Sequence, residues 1–292
     1  MPDPRRFKQV DVFTTVPFKG NPLAVVLGAD GLSDEQMHAV ARWTNLSETT
    51  FALAPMSADA DYRVRIFSPG TEFPFAGHPT LGTAHALLEA GLQPKTPGLL
   101  VQECGVGLVP IRIAADGSLA FQAPQAQLRA LDPALLPTLH AALPGARFSG
   151  EPVVADMGIV WLVVRMESAR ACLEVKPAAE ALLQITRHGI AGICMFAQHE
   201  ASGPADYEVR AVFTKMDALA EDPVTGSANA CIARLLEAQG FPDGGRSGEG
   251  YTARQGTLLQ CDGRIVVSYA DGGPWIGGHS VTVIDGTMRL TV

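Results

Sequence analysis

The sequence predicts an α+β protein built as two similar halves by internal duplication. Two observations carry that prediction. One short phrase occurs twice, as EFPFAGH (72–78) and EDPVTGS (221–227), in the shared frame E-x-P-x-x-G. In each half, strand-like stretches are grouped and joined by hairpin signals, and one long helical stretch arrives late. That grouping is the α+β pattern and not an alternation of strand and helix.

The repeat extends beyond the phrase. DYRVRIF (61–67) recurs as DYEVRAVF (206–213), with Tyr62 and Tyr207 standing 145 residues apart. Gly77 and Gly226 stand 149 apart, so four residues are inserted between the two stations. Gln102-Glu103-Cys104-Gly105 aligns with Ala253-Arg254-Gln255-Gly256, and Asp116-Gly117 with Asp262-Gly263. A period this long marks a duplicated domain, since solenoid repeats run to roughly 20–50 residues. The boundaries expected are 1–124 with about 278–292 for the N-terminal domain, and 125–277 for the C-terminal one.

Each element has its own signal. FKQVDVFT (7–14) alternates as a strand, PFKGN (17–21) is a turn, and PLAVVL (22–27) is a buried strand. Ser33 with Gln36 forms a capping box, which starts a helix over about 34–43 with Met37, Val40 and Ala41 inward. TTFALA (49–54) and DYRVRIFS (61–68) are strands. Pro79 suits the first turn of a helix beginning at Gly77-His78, and Gly91 closes it. LLVQE (99–103), GLVPIRIA (107–114) and SLAFQA (118–123) are strands, the last two joined by a turn at Asp116-Gly117. The proline-bearing stretch 125–150 is expected to be a linker with one short helix. GIVWLVVRM (158–166), GICMFAQ (192–198) and DYEVRAVFT (206–214) are strands, a helix runs from Pro177 to Gly189, and the second motif helix covers about 227–238. Hairpins around Asp262-Gly263 and Asp285-Gly286 are expected to finish the chain.

Composition narrows the function. The chain has 292 residues, 47% hydrophobic and 18% charged, with a formal net charge of −8. An acidic balance argues against a nucleic-acid or anionic-membrane surface, which needs clustered Lys and Arg. No apolar run approaches the roughly 18 residues of a membrane span. No signal peptide is visible after the polar start, and five cysteines without CxxC spacing suit a reducing cytoplasm with free thiols. Neither a dinucleotide-binding nor a P-loop sequence occurs, so no nucleotide cofactor is expected. No His pair has zinc-site spacing, so no metal is expected.

The chemistry follows from two helix starts and a carboxylate. A helix N-terminus offers unpaired N–H groups and about half a positive charge, which suits a carboxylate or phosphate. Gly77 and Gly226 let a ligand approach the backbone at such starts, or serve only the turn. His78 is either a hydrogen-bond donor or proton carrier, or a structural imidazole near the cap. Asp222 either orients a polar group of a ligand or is a solvated turn residue. Glu72 and Glu221 occupy matching stations and read as structural. Glu48, in NLSETTF (45–51), is either an exposed loop residue or a carboxylate tuned by an apolar strand for acid/base work. At the 145 offset Glu48 meets Ile193, so only one half carries that carboxylate.

NLSETTF (45–51), AGHPTLGTA (76–84), EDPVTGSAN (221–229) and ARQG (253–256) together resemble the PhzF-like phenazine-biosynthesis proteins, within the broader diaminopimelate-epimerase-like fold. The resemblance implies two similar domains, each a curled, mostly antiparallel sheet around a central helix, with the active site between them. It also implies a homodimer without metal or cofactor that isomerises a small carboxylate, as dihydro-3-hydroxyanthranilate isomerase does. By motif position the family's catalytic Glu falls on Glu48, its His on His78, its Asp on Asp222 and its helix-start Ser on Ser227. The fold's epimerases place a cysteine after each motif glycine, and here those stations hold His78 and Ser227, so a thiol pair is not expected. The TLLQCDGRI (257–265) stretch lacks the Gly-Arg-Pro run of many members, which leaves the substrate open. An epimerase or dehydratase with His78 as base, and a non-catalytic small-acid-binding protein, are the alternatives.

Overall fold

The computed structural model describes residues 4–290 apart from 244 and 271. It divides into two compact units, the first reaching Gln122 and including the segment from Gly277, the second spanning Ala123–Ile276.

Unit one contains β1 (Arg5–Val12), β2 (Asn21–Leu27), α1 (Asp34–Thr44), β3 (Thr49–Leu53), β4 (Tyr62–Phe67), β5 (Glu72–Phe73), α2 (Gly77–Glu89), β6 (Leu99–Cys104), β7 (Gly107–Ile113), β8 (Leu119–Gln122) and the late strand β18 (Ser280–Met288). Unit two contains β9 (Gln127–Ala130), α3 (Leu136–Ala142), β10 (Val153–Asp156), β11 (Val160–Arg165), α4 (Ala169–Glu174), α5 (Ala179–Thr186), β12 (Gly192–Gln198), β13 (Tyr207–Lys215), β14 (Ala218–Asp222), α6 (Gly226–Ala238), β15 (Tyr251–Gln255) and β16 (Gly263–Ala270). Strand β17 (Gly273–Gly278) follows.

The two sheets share one connection pattern. In unit one the strands run β18-β1-β2-β3-β4-β6-β7-β8, with β2/β3 and β4/β6 parallel and the rest antiparallel. In unit two they run β9-β10-β11-β12-β13-β15-β16, with β11/β12 and β13/β15 parallel. The parallel register itself is repeated: Tyr62 faces Gln102 as Tyr207 faces Ala253. These are the stations aligned from sequence.

Each curled sheet holds its motif helix on one face. Helix α2 lies against β1, β2, β3 and β8, and α6 against β10 and β11. The opposite faces carry the other helices. Helix α1 covers Val26, Phe51, Leu53 and Phe67, while α3, α4 and α5 cover Leu162, Val164, Ile193, Met195 and Val212. Alternation along β3 makes this possible, since Phe51 faces α1 while Thr50 accepts a hydrogen bond from Thr83 of α2. The Ser33–Gln36 capping box forms as the sequence implies.

The repeated motif has a repeated purpose. Arg65 clamps Glu72 with two bonds of 2.7 Å across β4/β5, and Arg210 clamps Glu221 with bonds of 3.0 and 2.8 Å across β13/β14. Both motif glutamates are therefore structural. The four-residue insertion lengthens the second hairpin: β5 has two residues and β14 has five, with Met216 and Asp217 left-handed at its tip. Gly105 and Gly256 each press on the motif proline. A Cβ at Gly105 would stand 2.7 Å from Pro74 Cα, and one at Gly256 would stand 2.6 Å from Pro223 O.

Two local expectations fail. Asp285-Gly286 is no hairpin, because both lie inside β18, where Gly286 pairs with Phe7 and Asp285 forms ion pairs with Arg6 and Lys8. Long-range pairing overrides the local turn signal. The stretch 125–150 is more than a linker with a helix, because Gln127–Ala130 pairs with β10 as a strand. Strand β9 in unit two thus holds the place that β18 holds in unit one.

The two clamps differ in burial. Arg210 is 4% exposed and also donates to the carbonyls of Cys172 and Val175, whereas Arg65 is 25% exposed and keeps Asp34 as a second partner. Removing one partner of a buried pair costs about 3–5 kcal/mol, and of an exposed pair about 0–1. Urea unfolding should show Glu221→Ala well below the parent and Glu72→Ala close to it. Equal losses would contradict the structural reading of the clamps.

Candidate active site

In unit one, three elements begin close together. The parallel pairing of Ala24 with Thr49 sets the start of β2 beside the start of β3, with Glu48 immediately before the latter. Helix α2 is drawn onto these strands at Gly82, where any Cβ would stand 2.6 Å from Leu23 Cδ2 and 2.8 Å from Val12 Cγ2. Only glycine permits so close an approach. Hydrogen bonds from Thr83 to Thr50 and from Gln102 to Thr80 fix the helix, and Tyr62 anchors Gln102 in turn.

This seating puts His78 against Glu48. His78 Nε2 stands 3.3 Å from Glu48 Oε2, with the side chains 8% and 17% exposed. The two atoms are not aligned for a good hydrogen bond with each other at this separation. Catalytic contacts in ligand-free sites are often loose in this way and tighten around substrate. The other ring nitrogen, Nδ1, lies 3.5 Å from Asn21 Nδ2. Burial pushes the imidazole down to about 3, so His78 is neutral near pH 7. At the start of α2 no side chain caps the backbone, and Gly77 and His78 are buried there.

The matching region of unit two gathers Asp222, Gly226 and Ser227. Thr225 donates to Asp222 Oδ2 at 2.6 Å, so this carboxylate is anchored within its own turn. Gln255 accepts from the Thr225 backbone N–H and donates to Thr225 Oγ1 and the Asp222 carbonyl. Asn229 donates to Thr225 O and Gln255 Oε1. Ser227 Oγ accepts from Trp161 Nε1 at 3.0 Å, which leaves its O–H free to turn as a donor. As in α2, no side chain caps the first turn of α6.

The structure therefore unites Glu48, Gly77 and His78 in one unit, and Asp222, Gly226 and Ser227 in the other. Sequence reading missed Asn21, Thr225, Gln255, Asn229 and Trp161. Asn21 passed as a turn residue in PFKGN, and Gln255 was seen only as a repeat station in ARQG. Cys172, Cys194 and Cys231 are buried, and burial raises all three thiols, Cys172 and Cys231 to about 12. None of these serves as a ready thiolate base. Among the described residues no group of three or more His, Cys, Asp or Glu converges on a metal position. No described helix is long and apolar enough to cross a membrane.

The depressed His78 value makes a testable demand on stability. Above about pH 6.5 the ring is neutral in folded and unfolded chains alike and adds nothing. Between about 6.5 and 3 the unfolded ring binds a proton that the folded ring refuses, so stability falls as pH falls, by about 1.4 kcal/mol per pH unit from this residue. Urea unfolding of His78→Asn should lose stability on acidification less steeply than the parent by that slope. Parallel pH profiles would show that His78 is not held neutral.

Comparison with known proteins identifies the lineage. The family model described as "Phenazine biosynthesis-like protein" matches residues 10–286. Antisense-enhancing sequence 1 of Schizosaccharomyces pombe is 33% identical over 295 residues, covering 96% of this chain and 97% of that protein. Trans-2,3-dihydro-3-hydroxyanthranilate isomerase of Pseudomonas aeruginosa is 34% identical over 230 residues, covering 78% of each. The crystal structure of a PhzF-family phenazine biosynthesis protein from Bacillus anthracis superposes with a TM-score of 0.81 at 24% identity, covering 99% of this chain and 100% of that one. That likeness shows a shared fold. With a family match spanning nearly its whole length and relatives named as isomerases, the chain belongs to the phenazine biosynthesis-like protein family and is an isomerase of PhzF type.

Proposed function

We propose that the protein moves a proton between two carbons of a small carboxylate substrate, with Glu48 as the acid/base and no cofactor taking part. The observation that carries this reading is the pairing of Glu48 with a buried, neutral His78 in one unit only. At the matching station of the other unit stands Ile193, which cannot exchange a proton.

The step balances as an isomerisation. Glu48 removes a proton from an activated carbon, the electron pair shifts through the conjugated system, and the protonated Glu48 returns the proton to a second carbon. Neutral His78, against Glu48, holds that carboxylate in place. A conjugate acid near 3 makes that ring a poor proton acceptor, which weakens the alternative in which His78 is the principal base. Asp222, steadied by Thr225, orients an amino or hydroxyl group, and Ser227 donates to the substrate carboxylate. The uncapped helix starts at Gly77 and Gly226 each offer N–H donors and positive potential to an anionic group. The relative that acts on trans-2,3-dihydro-3-hydroxyanthranilate supports a cyclic amino-carboxylate as the first substrate to try. The family likeness also carries the proposals of a homodimer and a cytoplasmic location.

The test is Glu48→Gln, assayed with trans-2,3-dihydro-3-hydroxyanthranilate in deuterated water. A well-placed acid/base contributes about 10²–10⁴-fold. Turnover should fall at least about 100-fold, equivalent to about 2.7 kcal/mol of barrier, and deuterium uptake at carbon should fall with it. Parent-like turnover in the variant would remove Glu48 from the role.

A further inference from the structure

Three stations change together between the two units. The shared parallel register sets Ala24 against Thr49 and Val163 against Cys194, so Asn21 of unit one corresponds to Val160 of unit two. Glu48 corresponds to Ile193 and His78 to Ser227. In both units the residue after the motif glycine touches the start of the second strand: His78 meets Asn21, and Ser227 meets Trp161. The contact is common to both, but the polar trio Asn21, His78 and Glu48 occurs in one.

The fold invests heavily in placing Asn21. It is fully buried and follows Gly20, where a Cβ would stand 2.4 Å from Val12 O. The turn before it keeps Phe13 and Phe18 in the left-handed region, at φ 65° and 68°. Such conformations cost free energy and persist only where surrounding contacts fix them. Here the buried Asp11 carboxylate accepts from the Phe18 N–H, and Thr14 Oγ1 accepts from the Val16 N–H at 3.1 Å.

An amide nitrogen donates and does not accept. A hydrogen bond from Asn21 Nδ2, 3.5 Å from Nδ1, requires Nδ1 to be the acceptor and puts the single proton of the neutral imidazole on Nε2, on the side of Glu48. We propose that Asn21 is a positioning residue that locks His78 in the Nε2–H tautomer, so that the ring presents a donor and not a lone pair to the Glu48 carboxylate. In the reverse tautomer a bare nitrogen would face the carboxylate. Two acceptors would then oppose each other, and Glu48 would lose the donor beside it. The consequence for turnover rests on the acid/base role proposed for Glu48, but the tautomer does not.

Nitrogen-15 NMR of histidine-labelled protein reads the tautomer directly. In the parent, His78 should show a protonated Nε2 and a bare Nδ1. Asn21→Asp, whose carboxylate accepts, should move the proton to Nδ1. Asn21→Leu, in case the buried acid prevents folding, should leave a mixture. In either variant kcat should fall by about 10–100-fold, by analogy with the loss of the partner that orients a metal-bound imidazole, with KM little changed. In a His78→Asn background the same substitution should add no further loss. A parent His78 protonated on Nδ1, or an unchanged tautomer in both variants, would overturn the proposal. A shifted tautomer with unchanged kcat would uphold the lock and count against the role of Glu48.

Discussion

Seating the start of one long helix against the strand ends of its own sheet is the constraint on which each unit depends. Helix starts carry unpaired donors and strand ends carry mobile turns, so holding them together takes dedicated contacts. The E-x-P-x-x-G turn supplies them. Its glutamate is clamped by the arginine of the neighbouring strand, its proline is met by a glycine with no room for a side chain, and its last glycine opens the helix. In unit one the glycine at 82 then lets α2 sink between Val12 and Leu23. The outcome in both units is a helix start with a buried glycine and no side-chain cap.

Function enters where the copies differ. The frame is common to both units, but its polar occupants are not. Unit one places a neutral imidazole between an amide and a carboxylate. Unit two devotes the same region to a Thr225–Asp222–Gln255–Asn229 network and gives the helix-start hydroxyl to Trp161. A duplicated scaffold with a carboxylate at the Glu48 station of one unit, where the other has Ile193, suits a reaction in which a single group both takes and returns a proton. A racemase that works from two faces needs a base on each. Burial of His78 fits the same division of labour, since a ring kept neutral can orient without competing for the proton.

Much of the fold was legible because the duplication was written into the sequence at several stations in order. Tyr62 with Tyr207, and Gln102 with Ala253, proved to be equivalent positions in equivalent parallel pairs. Glu72 and Glu221 were readable as structural because they matched across the repeat. Hidden were features that depend on long-range partners. Asp285-Gly286 carries a local hairpin signal, yet its pairing partner lies at the other end of the chain. Gln127–Ala130 becomes a strand only because β10 is there to receive it. Glu48 and His78 could be named from motifs, but Asn21 could not, because a turn asparagine has no signal until the ring it meets is placed beside it.

The central claim is that one carboxylate carries the proton out and back. The most direct measurement is single-turnover transfer of label, in ordinary water, from a substrate deuterated at the carbon that loses its proton. A single acid/base at Glu48, beside His78, predicts that part of the deuterium reappears at the second carbon of the product. Product free of deuterium at that carbon in the first turnover, with the donor carbon fully exchanged, would contradict it.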